Sequence, residues 1–451
     1  MESYIHLYKT NSDFTAAYNS LDYKEPWLSL TEEGMTISYN KPKLIAITFG
    51  TITWVTDVPS KGGTATKDNC EFEVYAKYDN GISVDISSNA TVTGELAVPS
   101  STEGQRHEAG QLTLTASYSG FTATGNVTAY QEAVPDFSTE PLTFNILSAG
   151  TINWTASNTA IAKTIDYKKN NGEWTSITPN IGSSAPFIEV NSGDKLQFRG
   201  NNEQYATGGP WTALSYNSFR GSTASFEAEG NIMSLIYGDG FKNKLTISST
   251  YAFAGLFTGC NNLVSAENLI LPATTLASYC YYQIFSGCEK LTTVPALPAM
   301  ALLKGCYQEM FNGCNWLTAV PSNLLPATSL ADYCYSGMFD GCTSLTTAPE
   351  LPATTLATNC YRSMFQGCRY ITTAPELPAT TLANNCYQYM FNGCISLNDI
   401  KCLATDISAS YCTDSWVDGV ASEGTFKKAS SMASWTTGGD GIPTGWTVQN
   451  A

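Results

Sequence analysis

The residues with the greatest chemical potential in this 451-residue chain are its fourteen cysteines, because thiolates bind metals, form disulfides and act as nucleophiles. Twelve of them fall into two regularly spaced columns. One column follows a glycine and advances by 26 or 28 residues: Cys260, Cys288, Cys314, Cys342, Cys368 and Cys394. The other column lies eight residues before it and continues into the last copy: Cys280, Cys306, Cys334, Cys360, Cys386 and Cys412.

Three roles are open for these cysteines. Ala252 and Val420 replace cysteine in the two end copies, which favours a slot for a small buried side chain and hence free thiols in a core. Equivalent cysteines in successive copies would lie about 5 Å apart if the copies stack like parallel strands, which is within disulfide range. Metal binding is the third alternative, although the sequence contains no Cys-x-x-Cys pair and no Cys/His cluster.

Other groups that could catalyse a reaction are sparse. The only histidines are His6 and His107, so a Ser-His-Asp or Cys-His arrangement would have to span distant parts of the chain. The Asp-Gly pairs at 239–240 and 440–441 lack the further acidic ligands of a calcium loop. Two carboxylates at the right separation suffice for glycoside hydrolysis, which keeps an enzymatic alternative open. The sequence predicts a protein without enzymatic activity, cofactor or metal.

Aromatic side chains at variable positions are the best candidates for a binding surface. Their rings could stack on sugars or pack against a partner protein, with ordinary surface aromatics as the plainer alternative. The candidates for ligand stacking are Tyr282, Trp316, Tyr370 and Tyr389.

These cysteines and aromatics belong to a repeat of about 26 residues that runs from Tyr251 to Val420. Within its segment Cys-Tyr-x-x-Met-Phe-x-Gly-Cys the apolar positions share one side of a helical wheel, which predicts a short helical turn on a core. The remainder, Leu-Thr-Thr-Ala-Pro-Glu-Leu-Pro-Ala-Thr-Thr-Leu-Ala, is too rich in proline and threonine for a helix and predicts a short strand with a bend. Neither half can bury its apolar face alone, so the copies must stack.

This pattern resembles the BspA-like leucine-rich repeat of surface proteins of gut bacteria and of proteins of their phages. In that family Leu/Ile-Pro, Ala-Phe and Gly-Cys recur in the same order, and Leu351 to Glu376 form one copy of the repeat in this chain. The resemblance implies that residues 239–451 form a solenoid with a cap at each end. It implies a binding or display scaffold and no particular chemistry.

Two β-rich segments precede the repeats. In residues 44–134, alternating apolar residues on both sides of Ser119-Gly120 predict a hairpin, and Asp79-Asn80-Gly81 predicts a second turn. The hairpin resembles the last two strands of bacterial immunoglobulin-like domains, which implies a β-sandwich used as a spacer or adhesive module. The sequence of residues 135–238 predicts a second β-sandwich domain. Within it, residues 225–236 are expected either to close the sheet or to cap the solenoid. The predicted fold class is therefore mainly β and multidomain, two sandwich-like domains followed by the solenoid.

Composition narrows the partners and the environment. The formal net charge of −16 is the opposite of what binding to nucleic acid or to an anionic membrane requires, so neither partner is expected. The longest apolar stretch, around Leu44 to Val55, alternates like a strand and is too short to cross a bilayer, so no membrane insertion is expected. The first residues lack the basic and apolar regions of a signal peptide, so secretion by the general route is not expected.

Residues 1–43 are too few for an independent core, yet they carry many apolar groups. These groups need a covering surface, which predicts that the segment docks onto a partner subunit, with folding back onto the first β-domain as the alternative. The opening residues also resemble the N-termini of virion proteins from phages of gut bacteria. The candidate docking residues are Tyr4, Tyr8, Phe14 and Trp27.

Together these features predict a non-enzymatic structural protein on the surface of a phage virion, in a head or tail fibre or decoration, made in the host cytoplasm and released by lysis. In this hypothesis residues 1–43 bind other virion proteins, and the β-domains and solenoid attach to a protein or glycan of the host surface. A homo-oligomer is compatible with the role. The alternatives are a bacterial cell-surface adhesin and a polysaccharide-cleaving fibre.

Overall fold

The computed structural model describes residues 29–31, 34–36, 43–58, 63–79, 81–99, 107–131, 136–157, 159–180, 185–209, 212–432 and 434–451. The chain divides into two compact units, Met1–Asp136 and Phe137–Ala451. The described residues of both units are mainly in strands and turns, so the prediction of a mainly β protein is confirmed.

The described part of the first unit contains ten strands and one 3₁₀ helix, Lys67–Asn69. In chain order the strands are β1 Ser29–Thr31, β2 Gly34–Thr36, β3 Leu44–Trp54, β4 Gly63–Thr66, β5 Cys70–Tyr78, β6 Ser83–Asp85, β7 Thr91–Thr93, β8 Glu95–Val98, β9 His107–Tyr118 and β10 Phe121–Gln131.

Antiparallel pairing organises these strands into two three-stranded sheets, in the orders β3-β5-β6 and β10-β9-β7, and two pairs, β1-β2 and β4-β8. Ser119 and Gly120 both have positive φ, which suits a two-residue hairpin loop. The predicted hairpin is confirmed, with Phe121 opposite Tyr118. Side chains from both three-stranded sheets share one core, which includes Val74 of β5 and Leu114 of β9.

The described part of the second unit begins with ten strands, one α-helix, α1 Ser234–Tyr237, and the 3₁₀ helices Phe137–Thr139 and Gly238–Gly240. The strands are β11 Leu142–Ile146, β12 Gly150–Asn153, β13 Thr155–Ala156, β14 Ile165–Lys169, β15 Thr175–Ile177, β16 Phe187–Val190, β17 Lys195–Arg199, β18 Ala206–Gly209, β19 Thr212–Ser218 and β20 Phe226–Asn231.

Strand β20 joins this β-rich segment to the repeats. It pairs antiparallel with β11, placing Ala228 opposite Phe144, and parallel with two strands of the first repeat, β21 Leu263–Ser265 and β22 Leu269–Ile270. Residues 225–236 therefore close the sheet and cap the repeats at the same time. One hydrophobic core runs from Leu142 to Trp446 and continues through residue 238, where the sequence predicts a domain boundary.

The repeats stack in parallel, one copy on the next. Single parallel β-bridges join residues at equivalent positions of neighbouring copies, such as Ser265 with Thr293 and Ala319 with Thr347. Regular strands return only at the C-terminal end, in the parallel sheet formed by β23 Asp399–Cys402, β24 Thr425–Lys428 and β25 Thr447–Asn450. We refer to each copy as a rung and to residues 251–420 as the repeat stack.

The predicted helical turn in each rung is wrong. Residues 279–288, the turn segment of one rung, are a succession of turns with positive φ at Tyr279, Gln283 and Gly287. All seven rungs repeat this every-fourth-residue pattern in their turn segments: 251–260, 279–288, 305–314, 333–342, 359–368, 385–394 and 411–420. An α-helix of L-residues excludes such φ values.

Hydrogen bonding in the turn segments alternates residue by residue. The amides of Tyr282 and Ile284 donate within the rung, to carbonyls three residues earlier, while Tyr281 and Gln283 donate to carbonyls of the next rung. A helix would use every one of these donors internally. In the turn segment, every second amide instead donates to the next rung and so holds the two rungs together.

Two columns of stacked rings run through the core of the repeat stack, with successive ring centroids 5.3 to 6.2 Å apart. One contains Phe253, Tyr281, Tyr307, Tyr335, Tyr361, Tyr387 and Trp416, and the other contains Phe257, Phe285, Phe311, Phe339, Phe365 and Phe391. The upstream β-rich segment supplies the first ring of each column, Tyr205 over Phe253 and Phe219 over Phe257. It therefore caps the stack by side-chain packing as well as by strand pairing.

All fourteen cysteines are free and buried. This agrees with the first of the three alternatives, free thiols in a core. In the glycine-following column each thiol from Cys288 onward donates to the phenylalanine carbonyl of the preceding rung, for example Cys368 Sγ to Phe339 O at 3.1 Å and Cys394 Sγ to Phe365 O at 3.0 Å. Burial raises the pKa of these thiols, that of Cys342 to about 12. They are therefore packing groups with a weak hydrogen bond and are not poised as nucleophiles.

Candidate functional site

Two of the four predicted stacking residues lie together on one exposed face of the repeat stack. Trp316 is 56% exposed and Tyr370 is 61% exposed. Both are the second residue after the conserved Gly-Cys pair, and they are separated by one intervening rung that carries Ser344 at the same position. The three side chains form a straight file because equivalent positions of stacked rungs superimpose along the stack axis.

A second file, of hydroxyl groups, lies beside the aromatic file. Leu317 and Ile371 are fully buried, so their neighbours on both sides in the chain face outward, as in a strand. The outward neighbours are Thr318 and Thr372, both exposed, with Thr346 in the rung between them. The Thr346 hydroxyl donates to the Thr318 carbonyl at 3.0 Å, which ties the file to the backbone of the neighbouring rung. We refer to these six residues as the aromatic–threonine face: Trp316, Thr318, Ser344, Thr346, Tyr370 and Thr372.

The exposure predicted for Tyr282 is wrong. Its side chain is only 6% exposed and lies in a small cluster with Ala206 and Ala254, against which Leu214 and Tyr216 of β19 pack. The sequence pattern places Tyr282 on the outer side of its rung, and the side chain does lie on that side. The upstream β-rich segment covers that position, and a repeat pattern carries no information about such a neighbour.

Tyr389 is half-buried and already engaged. The Arg362 guanidinium of the preceding rung lies over its ring, 5.7 Å from the centroid, which is cation–π geometry. The same guanidinium donates from Nε to Gln388 Oε1 at 2.9 Å, and Gln388 Nε2 donates to Asp414 Oδ2 at 2.7 Å. Tyr389 therefore belongs to a polar network that links three rungs.

A second polar network, which the repeat pattern does not predict, surrounds Glu309. Its two carboxylate oxygens accept hydrogen bonds from Gln283 Nε2 at 2.6 Å and from Gln308 Nε2 at 3.2 Å. Burial, together with the nearby Glu309 carboxylate, raises the pKa of Asp340 to about 6. Two neighbouring carboxyl groups, one of them with a raised pKa, are an arrangement used in acid–base catalysis, but both Glu309 oxygens already accept hydrogen bonds from glutamine amides. The signal in the sequence is that polar residues occupy the variable turn-segment positions on adjacent rungs.

Other predicted features are placed as follows. His107 begins β9 in the first unit, and His6 lies outside the described residues. Within the ranges that the structure describes, no three His, Cys, Asp or Glu side chains are grouped to hold a metal ion. No helix found in those ranges combines the length and apolar character that a bilayer crossing requires.

The predicted docking residues cannot be placed on any surface, because all four lie outside the described residues: Tyr4, Tyr8, Phe14 and Trp27. Their role stays a prediction. Of the segment 1–43, the structure describes the short antiparallel pair β1 and β2 and residue 43.

No protein-family model, curated protein or solved structure matches this chain.

Proposed function

We propose that this chain is a non-enzymatic display protein of a phage particle. In this proposal residues 44–134 form an immunoglobulin-like sandwich and residues 239–451 a BspA-like leucine-rich-repeat solenoid that attaches to the host surface. The assignment to the solenoid class is supported by parallel rungs, continuous ring columns and the Gly-Cys repeat.

The observation that carries the display role is the way the rungs hold their outer side chains. Alternate turn-segment amides bond to the next rung, so each rung is fixed in register with its neighbour. Variable outer side chains then form files at a constant interval on a rigid support, which suits recognition of an extended ligand. A scaffold of this kind can change its ligand by changing exposed residues without disturbing its core.

The location on a particle is supported by a different argument, the resemblance of the opening residues to virion proteins of phages. In the proposal, residues 1–43 bind other particle proteins through Tyr4, Tyr8, Phe14 and Trp27, while the repeat stack faces outward. Burying several such side chains would contribute about 1.5 to 3 kcal/mol each, enough to anchor a protein of this size.

Particles purified from lysates test this proposal. We expect mass spectrometry to find the chain in the particles and to lose it when residues 1–43 are deleted, with no change in the melting temperature of the remaining chain. A deletion that still assembles but lowers that temperature would show that the segment folds back on its own chain. Detection on bacterial cell envelopes, and not in particles, would favour the adhesin alternative.

A further inference from the structure

We infer that the aromatic–threonine face is the binding site for a neutral, extended, β-1,4-linked glycan that lies along the axis of the repeat stack. This inference rests on the proposed attachment function and names the chemical class of its ligand. Trp316 and Tyr370 are the stacking platforms, and the threonine file supplies hydrogen bonds to sugar hydroxyls.

The spacing of the two rings selects an extended chain. Successive phenylalanine rings in these rungs, Phe311 to Phe339 and Phe339 to Phe365, are 5.7 Å apart. One rung thus advances by nearly the length that one pyranose adds to an extended chain. A sugar over Trp316 would be followed by one beside Ser344 and a third over Tyr370.

The alternation of large and small side chains selects the linkage. In a ribbon-like β-1,4-linked chain, consecutive sugars are turned over, so every second sugar presents the same face. Aromatic platforms two rungs apart, with the small Ser344 between them, match that two-residue period. An α-linked chain coils, and it would lift the third sugar away from the second platform.

The polar surroundings and the charge select a neutral ligand. The hydroxyls of Thr318 and Thr372 are exposed beside the two platforms, where they can donate to and accept from sugar hydroxyls. The whole chain carries a formal net charge of −16, which disfavours an anionic polysaccharide through long-range repulsion. Aromatic faces bordered by hydroxyl groups suit the mixed apolar and polar faces of a pyranose.

The test uses the purified full-length chain and titration calorimetry with cellohexaose, mannohexaose, xylohexaose and N-acetylchitohexaose, and with maltohexaose and hexagalacturonate as the α-linked and anionic comparisons. We expect at least one of the first four hexasaccharides to bind. Trp316→Ala and Tyr370→Ala should each weaken that binding by about tenfold or more, the loss of one stacking contact. The corresponding disaccharide reaches only one platform. The unaltered chain should therefore bind the disaccharide no more tightly than either variant binds the hexasaccharide.

A matched control separates the face from exposed aromatics in general. Tyr411 is 69% exposed at a turn-segment position that holds asparagine in two other rungs, Asn359 and Asn385, so Tyr411→Asn should leave binding within about twofold. Both platform side chains are exposed, so the melting temperatures of Trp316→Ala and Tyr370→Ala should equal that of the unaltered chain.

Three results would overturn the inference: no binding of any of the four hexasaccharides, equal binding by the platform variants, or tighter binding of maltohexaose or hexagalacturonate. The calorimetry is independent of the particle assay. Absence of the chain from particles would refute the proposed location and leave the glycan site standing, whereas failure of the titrations would refute the glycan site alone.

Discussion

At the scale of single residues, the cysteines show how a chemically reactive group can serve packing. The slot needs a small side chain that fills space between rungs, and a thiol also donates to the Phe365 or Phe339 carbonyl of the rung before it. That carbonyl already accepts a backbone amide, Cys368 N for Phe365, so the thiol adds a second, weaker bond. Val420 ends the column with a small apolar side chain that makes no such bond.

Thiol titration tests this view of the cysteines. We expect the native chain to react very slowly with a thiol reagent near pH 8, because burial keeps the pKa of thiols such as Cys306 near 12 and the thiolate is the reactive form. After unfolding without reductant, all fourteen thiols should react. A shortfall on unfolding would indicate disulfides between rungs.

Asp340 provides a prediction about pH. Its pKa in the folded chain is about 6, above the ordinary value of about 3.9, so the folded state binds the proton more tightly than the unfolded state. The contribution to stability is full below about pH 4 and is lost as pH rises to about 6 and above. Asp340→Asn, which copies Asn312 and Asn392 at the same position of other rungs, removes this dependence.

The difference in unfolding free energy between Asp340→Asn and the unaltered chain should therefore shift in favour of the variant from about pH 4 to about pH 6, then level off. Chemical denaturation at a series of pH values measures it. A difference that stays constant across that range would mean that Asp340 is not buried against Glu309.

At the scale of elements, the sequence predicts which side chains face inward but not the backbone that holds them. The inward residues of one turn segment, such as Tyr361, Met364 and Phe365, fit a helix of 3.6 residues per turn and also a four-residue cycle of turns. Over the nine residues of a turn segment these two periods diverge by only about 80°, less than a quarter of a turn. The invariant glycine of each rung, such as Gly367 at φ 72°, is the one local sign of the second solution.

The ring columns make a strong prediction about packing. Phe365→Ala removes a fully buried ring that is 5.7 Å from the rings of both Phe339 and Phe391, so it should cost about 3 to 5 kcal/mol of unfolding free energy. Arg369→Ala, an exposed position of the same rung, should cost less than about 0.5 kcal/mol.

Equilibrium denaturation of both variants gives the comparison, and hydrogen exchange locates the damage. Because each rung is stabilised by its neighbours, Phe365→Ala should lower protection in the rungs on both sides of it. Similar costs for the two variants would contradict the inward and outward assignment.

At the scale of the whole molecule, the two units differ in how much the sequence reveals of them. The hairpin β9-β10 of the first unit is predictable from local alternation and a two-residue turn. The covering of Tyr282 and the dual pairing of β20 are not, because both depend on contacts between segments far apart in the chain. The same limit applies to the aromatic–threonine face: sequence predicts Trp316 and Tyr370 as candidates, and only stacking aligns them with the threonine file.

The shared strand β20 leads to a prediction about where the chain can be divided. Residues 137–451 should fold alone, because one core runs through them and the compact units separate at Asp136. Residues 239–451 should melt at a clearly lower temperature or aggregate, because removing β20, Tyr205 and Phe219 exposes the first rings of both columns and the edge of β21. Thermal unfolding of the two truncated chains makes the comparison. Equal melting temperatures would establish residue 238 as a true domain boundary and would mean that the capping contacts contribute little to stability.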